Sequence, residues 1–240
     1  METNDISQSV EPIKNNSGLS FRGLTEIFYQ PSIFFNDLKD NPKILVPYIT
    51  LMIVMFLFFY LTVDYIVMEQ MKMPQIQDSI EKSGMSEATM QTFMYWQTLI
   101  GGVLSMLILP LISSGLALFF GNFVFGGITT YKKILSVTLY GGILYGVGAL
   151  LHVPLIMIKE SVMVTFSPAV LVADQGMQSF LYTALSKISL FHIWEVIVVG
   201  IGLSIIYGIS RNKGYLLSVL SVGMMAIIHV IITGIALMFK

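Results

Sequence analysis

Within the stretch SLFHIWEVIVVGIGLSIIYG, residues 189–208, a carboxylate and an imidazole stand one turn apart: His192 and Glu195. The stretch is apolar enough to lie in a bilayer, where an acidic side chain costs at least about 2.5 kcal/mol unless it is protonated, paired or solvated. Glu195 therefore has to face protein or water. The other two histidines of the chain, His152 and His229, fall at a similar depth when each is counted along its own apolar segment. A layer of three imidazoles and one carboxylate has the ligand types to bind a divalent cation or to relay protons. The competing reading is four separate polar contacts, because depth is one coordinate of three. No cysteine is present, which removes thiolate ligation and disulfides from consideration. The sequence also lacks a phosphate-binding loop, a dinucleotide fingerprint, a nucleophile elbow and a zinc-protease helix, so it reads as a non-enzyme.

The elements that must hold these residues follow from composition. Hydrophobic residues make up 55% of the chain and charged ones 11%, with a mean hydropathy of +0.79. A soluble domain cannot hide that much apolar surface. The formal net charge of -1 gives no electrostatic footprint for nucleic acid. About 20 mostly apolar residues cross about 30 Å of hydrocarbon as a helix. Five segments qualify: Ile44 to Val63, Thr98 to Phe120, Ile134 to Ile158, Ile188 to Ile209 and Tyr215 to Phe239. The expected fold is an all-α, polytopic membrane protein with five transmembrane helices, spanning 44–239.

Before the first span, residues 1–18 are polar and read as a disordered cytoplasmic tail, and residues 19–43 as an amphipathic interfacial elbow. In that elbow Phe21, Leu24, Ile27 and Phe28 recur at helical spacing, Pro31 interrupts, Ser32 is placed to cap a second helix, and Phe34 and Phe35 are expected to anchor it to the lipid surface. Asn41 and Pro42 read as the cap and first-turn proline of the first span. Ser86 is a cap for a second helix that starts before its apolar portion, and Pro110 should kink that helix. The segment 161–173 is too short to span and reads as interfacial. Lys132, Lys133, Arg211 and Lys213 in the short connections mark the cytoplasmic side, which puts the N-terminus inside an inner membrane and Lys240 outside. On the fourth span Gly200, Ser204 and Gly208 form a small-residue stripe nearly opposite Glu195, suited to close helix packing within the bundle or to a homo-oligomer seam.

Pro31, Phe34, Phe35 and Pro42 before the first span, Phe119, Gly121, Gly126 and Gly127 leading into TYKKILSVTLYG, and SLFHIWEVIVVGIGLSIIYGISRNKG before the last span stand in an order that resembles the Yip (Ypt/Rab-interacting protein) domain membrane proteins in their short prokaryotic form. The resemblance covers residues 25 to 239. It implies about five membrane helices and a non-enzymatic protein that organises membrane or binds lipids and partner membrane proteins. His192 and Glu195 depart from the pattern, which usually has small or uncharged polar residues there. They favour the alternative of a small transporter or channel with a proton or divalent-cation site in the outer half of the bilayer. A cavity reaching Glu195 would favour the alternative, and a dry, packed Glu195 the first reading.

Overall fold

The computed structural model describes residues 21–176 and 179–238, and every regular element among them is helical. The expected tail lies outside the described residues. Two short helices come first, α1 (Phe21–Tyr29) and α2 (Pro31–Asp40). Pro31 occupies the first turn of α2, where its missing N–H is not needed and its fixed φ suits the helix. Ser32 is therefore inside the helix and not its cap, and Asn41 closes α2 through its N–H to Leu38 O at 3.2 Å rather than opening the next span. The first span, α3, runs from Leu45 to Met71.

That span continues two turns past Val63, where the sequence reading ends it. The reason is packing: Val63 and Val67 are buried against Met90 and Met94 of the following long helix. A polar helix, α4 (Pro74–Ser83), ends at Gly84, whose φ of 67° closes it in the left-handed region that glycine adopts without a Cβ penalty. Ser86 then caps α5 (Glu87–Val124), its Oγ accepting the Thr89 N–H at 3.2 Å, as the sequence indicates. At 38 residues α5 is far longer than a bilayer requires. It is helical through Pro110 and contains two π turns, Gln97–Gly101 and Phe120–Val124.

The third span, α6 (Tyr131–Lys159), is the most buried of the five and forms the centre against which α3, α5 and the fourth span pack. Ser136 ties the elbow connection to it, accepting from Lys43 N–H at 3.1 Å and donating to Lys43 O at 2.6 Å. After α6 the chain forms a 3₁₀ segment (Pro168–Gln175) and a short helix, α7 (Phe180–Ser186), which pack on each other. The fourth and fifth spans are α8 (Leu190–Tyr207) and α9 (Arg211–Ile235). The described residues thus contain five helices long and apolar enough to cross a membrane, at the places the sequence indicates.

The α8–α9 hairpin answers the small-residue stripe. Gly200 lies against Tyr215, Ser204 against Gly214, and the Ser218 hydroxyl donates to Val196 O at 2.7 Å. The stripe is thus covered by the fifth span of the same chain, the packing within the bundle that was one of its two readings. Gly208 belongs to neither surface; with φ 66° it ends α8. The elbow departs from expectation. Phe34 and Phe35 do not anchor in lipid: both are buried, Phe35 completely, among Val137, Tyr140 and Leu203. The bare face of Gly202 admits the Phe35 ring, and Phe34 sits edge-on to Tyr140 at 4.6 Å. Ile33, by contrast, is 57% exposed. An amphipathic helix beside a bundle can bury its apolar stripe in protein as well as in lipid, and periodicity alone does not distinguish the two.

Candidate functional site: a cavity among the five spans

All five spans line one cavity of about 570 Å³. Leu51, Met55 and Phe58 of α3, Met106 and Leu109 of α5, and Val222 and Met225 of α9 make its walls largely apolar. The polar residues gather mainly at the end away from the elbow. His152, His192, Glu195 and His229 all border this cavity, so the four residues singled out in the sequence share one chamber.

They do not share one ligand. His192 Nδ1 and Glu195 Oε2 are 3.0 Å apart, one helical turn from each other on α8, with side chains 19% and 12% exposed. The remaining nitrogen, Nε2, is buried and has no partner among the described residues. The ring of Tyr145 stands edge-on to His192 at 6.2 Å. His152 is engaged elsewhere: its Nε2 accepts the Phe166 N–H at 3.0 Å and its ring lies 4.5 Å from that of Phe166. Phe166 O in turn accepts the Leu190 N–H at 3.1 Å. His152 thereby holds the 160s segment to α6, and the Phe166 carbonyl ties that segment to the start of α8. His229 is exposed on α9. Among the described residues no three His, Cys, Asp or Glu side chains converge as a metal-holding group.

Lys187 also lines the chamber. It sits between α7 and α8, within electrostatic reach of His229, and has no ion-pair partner among the described residues. Burial pushes its ammonium down from the usual lysine range.

The end of the bundle that carries the elbow is closed. Arg211 donates from one guanidinium nitrogen to Ile201 O and Ser204 Oγ, both at 3.0 Å, and from the other to Ser32 Oγ at 2.9 Å, pinning α2 across the α8–α9 turn. Tyr207 fills the space that Gly121 and Gly127 leave without side chains, and its hydroxyl is within hydrogen-bond distance of Ala117 O (3.2 Å) and Asn122 Oδ1 (3.1 Å). Among the described residues these contacts pack the elbow end of the bundle.

Comparison with known proteins adds a family and one relative. The sequence model of a family described as the Yip1 domain matches residues 25–233. The chain is 26% identical to the membrane protein YknW of Bacillus subtilis over 233 residues, covering 95% of this chain and 94% of that protein. No solved structure matches it.

Proposed function

Because the chain belongs to the Yip1-domain family of membrane proteins, we propose that it is a non-enzymatic, multi-pass membrane protein that holds a lipid-like amphiphile in its central chamber. The observation that carries this reading is the chamber itself: about 570 Å³, within the range of about 300–1,000 Å³ common to small-ligand sites, apolar along its length and polar mainly at one end. That division matches a molecule with a tail and a head. The small-residue contacts serve the bundle internally, so organisation of partner membrane proteins falls to the exposed faces of α3 and α5. The proposed orientation puts the elbow, Lys132, Lys133, Arg211 and Lys213 on the cytoplasmic side of an inner membrane, and the polar end of the chamber toward the outer leaflet.

The test is lipid retention. Ala226 lines the chamber, and Ala226→Phe fills part of it. The parent should keep bound lipid through purification in mild detergent, counted by native mass spectrometry, and the filled variant should keep less. Equal retention would overturn the reading. A second reading, proton- or cation-coupled transport, is favoured by the access of the chamber to the His192–Glu195 pair. Cation- or proton-dependent flux in liposomes that Glu195→Gln abolishes would establish it in place of the first.

A further inference from the structure

We infer that the head group bound at the polar end is acidic, and that Lys187 is the residue that recognises it. This rests on the amphiphile reading above and adds the chemistry of the head. Lys187 borders the chamber, is partly buried at the foot of α8, and has no carboxylate partner among the described residues, although Glu195 borders the same chamber. Glu195 is committed to His192. A cation withdrawn from water without a counter-charge is a cost that a bound anion removes. His229, within electrostatic reach of Lys187, borders the same chamber and adds a second nitrogen donor or acceptor.

The orphan nitrogen of His192 points the same way. A buried polar atom without a partner calls for a group that satisfies it. With Nδ1 engaged by Glu195, Nε2 is the free position of the ring, and a hydroxyl of the head group, which both donates and accepts, satisfies it. The binding site so built is an acid on Lys187, a hydroxyl on His192, and an acyl tail along Met55, Phe58 and Met225. Phosphatidylglycerol has this chemistry. Inorganic phosphate offers the acid without the tail.

The experiment uses the full chain in mild detergent and measures Kd by thermal shift and native mass spectrometry with phosphatidylglycerol, phosphatidylcholine and inorganic phosphate as separate probes. The parent should prefer phosphatidylglycerol over phosphatidylcholine by about tenfold, the size expected of one charge-assisted contact. Lys187→Gln should abolish the preference while leaving phosphatidylcholine binding in place. Lys187→Arg should retain it, and Lys82→Gln, on exposed α4, should leave it unchanged. A preference that survives Lys187→Gln, or a parent without one, would overturn the acidic-head inference while the chamber reading stands. Failure of both lipids to bind the parent would remove the chamber reading itself. Stabilisation by inorganic phosphate equal to that by phosphatidylglycerol would identify a free anion as the ligand and overturn the amphiphile.

Discussion

Replacing Phe35 by Ala separates two physical accounts of the elbow. If α2 is held by burial in protein, the loss is that of a large core side chain: Phe35 has no exposed surface, lies over Gly202 and meets Phe34 edge-on at 5.3 Å. Phe→Ala at such sites costs about 3–5 kcal/mol. For a chain of about this size each kcal/mol lowers Tm by roughly 2–4 °C, so the expected drop is about 6–20 °C. Ile33, on the opposite side of the same helix, is 57% exposed, and Ile33→Ala should fall within about 0.5 kcal/mol of the parent. The assay is thermal unfolding in mild detergent followed by tryptophan fluorescence. Trp194, one of two tryptophans, stands edge-on to Phe28 of α1 at 6.4 Å and so reports on the elbow directly. Equal, small shifts for the two variants would refute the argument, since they would mean that lipid or detergent holds the Phe35 ring as well as protein does.

Further outcomes follow from the same geometry. Gly214→Val puts side-chain atoms against Gly200 O and Ser204 and should eliminate monodisperse protein on size-exclusion chromatography, whereas Gly115→Val, facing open space, should not. Arg211→Gln removes the donors that reach Ser32 and Ile201; at an exposed site this is worth about 1 kcal/mol, and tryptic cleavage at Lys39 should quicken roughly fivefold. With His152 held by Phe166 and no three ligands converging among the described residues, Zn²⁺ should raise the Tm of Glu195→Gln and of the parent equally; a rise confined to the parent would restore the cation site. Reporter fusions at residues 75, 128, 170 and 212 should read outside, inside, outside and inside, and a cytoplasmic signal at 170 would reverse the proposed orientation.

The sequence by itself determined the class of the protein, the five spans and their order, because crossing hydrocarbon is a matter of length and apolar content. It also located the Ser86 cap, whose signal is local, and it singled out three histidines and Glu195, all of which border the chamber. What it left open is rotation and partner. In a water-soluble protein the polar face of a helix declares which side is buried; in α3, α5 and α9 apolar residues run all around the helix, so periodicity does not tell lipid from a neighbouring span. Only the tertiary structure decided that Phe34 and Phe35 face Tyr140 and Gly202 rather than lipid, and that the Gly200–Ser204 stripe receives Tyr215 and Gly214 of the same chain. The same holds for single polar groups. Nothing in the spacing of His152 shows that Phe166 takes its nitrogen, and nothing around Lys187 in the sequence turns it inward, because each depends on where a loop folds back over the bundle and on which buried atoms that fold leaves without a partner.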